Sequence, residues 1–293
     1  MLAQQLFNAL VLGSVYALFS LGFTLTFGVL RVINLLYGFY FVCGAFLALM
    51  LVESGHLPIW LAGILGAVGA GLIGLVLDTA LLGPLRRAKA PELSSLVVSL
   101  GGVLLFINLT TIHFGAEVRR FPANALTDSA FALGPVHIGA TQLVIVAAAA
   151  AVVIALFVLV EKTRLGGAIR AVAENPEVAA LMGVNVGAIV ATVSFISAAL
   201  AGAAGILIGL NFNAIEPYMG EAMMLRGFVV IILGGLGDIR GALIAALALG
   251  CLEVMTAGYI SSDLKEAVAF AALVLTLWIR PTGLFGRTAR KRA

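Results

Sequence analysis

Charge is the scarcest commodity in this chain. Only 17 Lys or Arg and 14 Asp or Glu occur among 293 residues, or 11%, roughly half of what a soluble domain carries. With 62% apolar residues and a mean hydropathy of +1.16, that shortage excludes a water-soluble globular domain and leaves an integral membrane protein. Cysteine is nearly absent. Cys43 and Cys251 sit inside apolar runs without CxxC spacing or histidine companions, which excludes a disulfide framework and reads as small core residues. The three histidines, His56, His113 and His137, lie apart and none has a ligand partner at i+4, so no metal site is expected. Glu53, Asp78 and Glu253 fall near the ends of apolar runs and read as interfacial groups, not as a catalytic pair. No GxSxG occurs, and the residues before Lys89, Lys162, Lys265 and Lys291 are never Gly, which excludes a Walker A loop. Neither an enzyme nor a cofactor is expected, and energy drawn from ATP must arrive through another chain. The net charge of +3 forms no clustered basic face, so nucleic acid is not an expected partner. The first thirty residues hold no charge, basic n-region or clear cleavage site, so no signal peptide is expected and the first segment stays as a span.

What the chain does have is long apolar runs. They far exceed the roughly nine to eleven alternating residues of a barrel strand, so the spans are helical, because a helix satisfies its own backbone in hydrocarbon. Candidate spans cover 6–29, 32–52, 58–82, 93–114, 138–160 and 187–210, followed by an irregular region 227–258 and a short last run 267–279. The expectation is a single all-α membrane domain, 1–293, with about eight transmembrane helices. The alanine run 147–151 is helix core, and no internal repeat is evident.

Positive residues orient the bundle. Arg86, Arg87 and Lys89 lie in one loop, Lys162, Arg164 and Arg170 in another, and Arg280, Arg287, Arg290, Lys291 and Arg292 at the end. Placing these inside leaves Arg119, Arg120, Arg226 and Lys265 outside. It also puts the C-terminus in the cytoplasm, the N-terminus outside and the loop 115–139 extracytoplasmic. The segment 161–186 interrupts the apolar pattern with helix punctuation. Asn175 suits an N-cap, Pro176 the first helical position, Glu177 the positive helix end, and Gly183 the C-terminal stop. A short capped helix between two spans predicts a docking element for a cytoplasmic protein.

Two stretches carry unusual residues for a membrane span. In LGGLGDIRGA, 233–242, four glycines with an acid and an Arg cannot continue a lipid-facing helix, and a discontinuous or re-entrant element is expected near 234–241. Its GLGDIRG fits a nucleotide-binding GxGxxG only loosely, with the last glycine one place late, so a broken membrane helix is the preferred reading. Asp238 and Arg240 either pair with each other or face a cavity. In RVINLLYGFYFVCGA, 31–45, Asn34, Tyr37, Tyr40 and Gly38 form either an interfacial belt or the lining of a solute path. Glycines at 202, 205 and 209, and at 63, 66 and 69, allow close helix approach.

Three stretches together resemble one known family. GVLRVINLLYGFYFVCGA at 28–45, TRLGGAIRAVAENPEVAALMGVNV at 163–186, and LRGFVVIILGGLGDIRGA at 225–242 with RPTGLF at 280–285 are similar to the LivH-type inner-membrane permeases of ATP-binding-cassette importers for branched-chain amino acids and related solutes. The resemblance covers essentially the whole chain. It implies that Asn175, Pro176, Glu177, Leu181 and Gly183 form the helix that couples to the ATPase, bordered by Arg164 and Arg170. It further implies a second, LivM-like permease subunit, two cytoplasmic ATP-binding subunits, an extracytoplasmic solute-binding protein, a location in the cell inner membrane among its lipids, and no bond chemistry in the permease itself. Asn34, Tyr37, Gly38, Gly234, Gly235 and Gly237 are the expected path residues. Leu35, Leu36 and Tyr37 stand where the family usually has Phe, Ala and His, which bears on the solute. A secondary, ion-coupled transporter is the alternative. It would need an acid deep in a span, and Asp78 is the sequence's one candidate.

Overall fold

The computed structural model describes residues 2–88, 90–122, 130–133, 136–280 and 283–285. Lys89, residues 281–282 of the RPTGLF motif and the tail cations Arg287, Arg290, Lys291 and Arg292 lie outside them. The chain is built on helices α1 (Leu2–Leu30), α2 (Leu36–Glu53), α3 (Ile59–Leu77), α4 (Gly83–Arg87), α5 (Glu92–Phe114), α6 (Ala140–Lys162), α7 (Arg164–Glu174), α8 (Pro176–Leu181), α9 (Val186–Phe212), α10 (Met219–Gly234), α11 (Ile239–Tyr259) and α12 (Lys265–Ile279). Seven of the described helices are long and apolar enough to cross a membrane, taking α3 and α4 as one. The loop 115–139 contains a small antiparallel hairpin, β1 (Ala130–Leu133) and β2 (Val136–Gly139), which the apolar-run analysis did not anticipate.

Burial sorts the helices into a centre and a periphery. The most apolar windows of α1, α2 and α9 are 78%, 72% and 67% buried, while those of α5 and α6 are only 28% and 22% buried. Helices that are hydrophobic all round have no water-facing side, so their lipid-facing surface simply remains exposed. At the centre, glycines bring backbones together. A Cβ placed on Gly44 of α2 would lie 2.5 Å from the Gly202 carbonyl oxygen of α9. One on Gly66 of α3 would lie 3.0 Å from the Gly44 carbonyl. Gly205 abuts the backbone of Phe41, and Gly209 abuts Ile215, whereas Gly63 has space beside it. The glycine spacing seen in the sequence therefore marks the α2–α3–α9 crossing.

Two interruptions shape the bundle. Arg31, at φ +52°, ends α1 in the left-handed region and turns the chain back. The side chain of Asn34 then accepts the Leu36 amide at 3.0 Å, so α2 starts inside the bundle. In the second, α3 passes through a π-helical turn, Asp78–Leu82, into α4. There Arg86 holds the buried Asp78 carboxylate through two hydrogen bonds of 2.8 and 2.6 Å. The expected irregular region 227–258 resolves into two helices. α10 begins earlier, at Met219, and stops at Gly234; α11 begins at Ile239. Sixteen residues make α10 about 24 Å long, short of a full crossing.

Candidate functional site: an exposed capped helix and an interior charged cavity

One end of the bundle presents a short, rigid projection. Asn175 adopts an extended conformation, and its carboxamide oxygen accepts the amides of Glu177 at 2.9 Å and Val178 at 3.2 Å. Pro176 occupies the first turn and Glu177 supplies an acid there, so the helix start is capped and charge-matched. Gly183, at φ +84°, closes the helix. Its amide bonds the Ala180 carbonyl and the Val184 amide bonds that of Ala179, each at 3.0 Å. Only Ala179 is buried; Leu181 is 87% and Met182 80% exposed. Leu181 on this six-residue capped helix and Met182 at its C-cap form an exposed apolar surface.

This projection is tied to the bundle through its neighbours. The hydroxyl of Thr163 caps α7 by accepting the Gly166 amide at 3.1 Å, and Gly166 lies against the backbone of Leu159 and Val160. The guanidinium of Arg170 donates to the carbonyl of Val160. Arg31, just past α1, donates to the carbonyls of Ala173 at 3.0 Å and Glu174 at 3.2 Å, at the C-terminal end of α7. Arg164 is exposed and makes no hydrogen bond among the described residues.

The glycine bend lies at this same end. Gly235 and Gly237 take φ values of +105° and +85°, reserved in practice for glycine. A Cβ on Gly234 would lie 2.5 Å from the Gly241 carbonyl carbon, so α10 and α11 meet backbone to backbone. The bend is thus a tight turn between two helices. Asp238 and Arg240 do not pair there: Asp238 caps α11 by accepting the Gly241 amide at 2.8 Å, and Arg240 pairs with Glu161 of α6 at 3.0 Å. Leu284 and Phe285 return to bond the carbonyls of Leu233 and Gly234 at 2.8 and 3.1 Å.

Asn34, Tyr37 and Gly38 gather elsewhere, in the core. Tyr37 is 1% exposed; its hydroxyl donates to the Ser197 carbonyl at 2.7 Å. Its ring stacks on Phe23 with centroids 5.2 Å apart and meets Phe19 edge-on at 4.8 Å. Gly22 of α1 faces that hydroxyl and gives it room. Gly38 faces the Gly220 carbonyl of α10, which a Cβ would approach to 2.9 Å. These residues form an aromatic and backbone seal where α1, α2, α9 and α10 converge.

Beyond that seal, toward the far end of α1, lies a cavity of about 650 Å³. Its deepest charged group is Glu253 of α11, whose side chain is 3% exposed. Nε of Arg226 donates to its two oxygens at 3.1 and 3.3 Å, and the Tyr16 hydroxyl donates at 2.6 Å. Nη2 of Arg226 also reaches Glu266 at 3.3 Å. Positive-residue counting puts Arg226 on the outer side, and Glu253 reads as interfacial. The two lie within α10 and α11 and neutralise each other inside the protein. The missed signal was Arg226 within an apolar run, MMLRGFVVIIL, eight residues before Gly234.

The chain as a whole has known relatives. Over residues 5–277 the chain matches the family described as the permease component of the branched-chain amino acid transport system. It is 32% identical to the high-affinity branched-chain amino acid transport system permease protein LivH of Salmonella typhimurium, covering 97% of this chain and 95% of that one. The LivH of Escherichia coli K12 gives the same figures, and BraD of Pseudomonas aeruginosa is 30% identical with the same coverage. A solved structure, PsaBC from Streptococcus pneumoniae in complex with Fab, superposes with a TM-score of 0.54 over 97% of this chain and 93% of that one. At 12% identity it shows a shared fold only. The chain belongs to the permease-component family of branched-chain amino acid transport systems, as a multi-pass membrane subunit of an ATP-driven importer.

Proposed function

We propose that this permease moves a branched-chain amino acid or a closely related small solute, with α8 as the helix that an ATP-binding subunit grips. The observation that carries the reading is the capped α8 with Leu181 and Met182 almost fully exposed. The working assembly is one LivM-like second permease, two cytoplasmic ATP-binding subunits and an extracytoplasmic solute-binding protein. α7, α8 and the C-terminus face the cytoplasm, and the loop 115–139 faces outward. The chain is a single domain and carries out no bond chemistry.

Asn175, Pro176, Glu177, Leu181 and Gly183 make the gripped surface and its caps, with Arg170 fixing α7 to α6 and Arg164 at the border. Closure of the ATP-binding subunits displaces α8 as a rigid body. Arg31 passes that displacement to α1, and the Arg240–Glu161 pair links α11 to α6. Asn34, Tyr37 and Gly38 form the seal that must part for solute to pass, and Gly234, Gly235 and Gly237 the turn about which α10 and α11 shift.

The buried Glu253 raises the alternative of an ion-coupled transporter. A coupling acid carries a lone charge that its ion neutralises, whereas the charge of Glu253 is already balanced by Arg226. Proteoliposomes carrying the assembled importer discriminate the two. Uptake that needs ATP hydrolysis and survives collapse of proton and sodium gradients is expected. Uptake driven by a gradient without nucleotide sinks the importer reading.

A further inference from the structure

The cavity around Arg226 and Glu253 has the chemistry of a binding site. Its walls are largely apolar, including Leu12, Phe41, Ile208 and Met223, while Asn8 and Gln142 add carboxamides. Among its lining residues the formal charges balance, with Arg226 and Lys265 against Glu216 and Glu253. Lone cations or anions would upset that balance and be repelled by half of the lining. A zwitterion would not, because it can insert between a fixed cation and a fixed anion without leaving either unpaired. Nη1 of Arg226 makes no hydrogen bond within the described residues, and the side chain remains 17% exposed. Glu253 is oriented from behind by the Tyr16 hydroxyl. The volume, about 650 Å³, falls within the range typical of small-molecule sites.

We propose that this cavity binds the zwitterionic head of an aliphatic α-amino acid, with Arg226 receiving the carboxylate, Glu253 the ammonium, and the apolar wall the side chain. The inference rests on the importer reading above and names where the solute first lodges in this subunit. It differs from a purely structural ion pair in one respect: the pair must discriminate solutes by charge.

The test uses the assembled importer in proteoliposomes, with Cys43→Ala and Cys251→Ala and a single new thiol at Ala222→Cys, a cavity-lining position. Alkylation by a small thiol reagent is timed alone and with L-leucine, leucinamide or 4-methylpentanoate. Leucinamide lacks the carboxylate and 4-methylpentanoate lacks the ammonium. L-leucine alone should slow alkylation, about tenfold at ten times its dissociation constant by simple occupancy. That protection should vanish in Glu253→Gln. Should Glu253→Gln fail to assemble with the ATP-binding subunits, Glu253→Asp replaces it, with weakened protection expected. Equal protection by all three solutes, or none by leucine, overturns the proposal. ATP-driven leucine uptake in the same vesicles reads the importer function separately. Uptake without protection removes this site and leaves the function standing, whereas absent uptake in the parent protein removes both.

Discussion

Leu181→Ala separates a docking surface from an ordinary loop. In the free chain the Leu181 side chain is 87% exposed, so truncating it removes almost no packing, and the fold should change by no more than about 0.5 kcal/mol. If α8 seats in a groove, the same side chain goes from water to full burial, worth about 1.5–3 kcal/mol. Losing about 2 kcal/mol of that weakens association roughly 30-fold, since each 1.4 kcal/mol is tenfold. The assay is equilibrium binding of the purified ATP-binding subunits to permease held in lipid nanodiscs. A thermal unfolding midpoint is measured on the same preparation. The expected result is a dissociation constant raised about 30-fold at an unchanged midpoint. Leu181→Met, which conserves volume, should remain close to the parent. Binding within threefold of the parent for Leu181→Ala refutes the docking role. A lowered midpoint places the effect in folding instead.

Asn175→Ala removes the acceptor for two amides and should cost α8 about 1 kcal/mol, read as weaker ATPase association with normal membrane insertion. Gly202→Val forces a branched side chain into the α2–α3–α9 crossing, where even a Cβ on Gly202 would lie 2.5 Å from the Ala70 Cβ. Overpacking of this kind costs about 1–3 kcal/mol and should show as a lower unfolding midpoint. Arg226→Gln strands a buried carboxylate and should destabilise by about 3–5 kcal/mol, whereas Arg226→Leu with Glu253→Leu should recover most of the midpoint while abolishing uptake. Alanine at Gly235 or Gly237 must adopt a positive φ, and should impair uptake while ATPase copurification persists. Undiminished uptake there removes the turn from the mechanism.

The long apolar runs made six of the spans legible to within a few residues, because hydrocarbon burial demands length and composition and both are written in the chain. The Asn175–Pro176–Glu177…Gly183 punctuation located α8 for a similar reason: caps are local and need no partner from afar. What escaped was whatever depends on a distant side chain. The irregular region starts at 227 in the sequence, just past Arg226, because the partner that lets this cation sit within a helix, Glu253, lies 27 residues away on the next helix. The sequence leaves Arg240 either paired with its neighbour Asp238 or facing a cavity, whereas its partner, Glu161, is 79 residues distant. The π-helical turn at Asp78 and the hairpin in 115–139 carry no periodicity that composition alone could flag.

Two hydrogen bonds from Arg31 to the end of α7 connect the exposed α7–α8 projection directly to α1, the most buried of the candidate spans among the described residues. α1 in turn lies along α9, α10 and α11, so under the proposed mechanism a push on α8 would reach all three through it. α6 shares in that linkage, because Arg170 of α7 donates to the Val160 carbonyl and Arg240 of α11 pairs with Glu161.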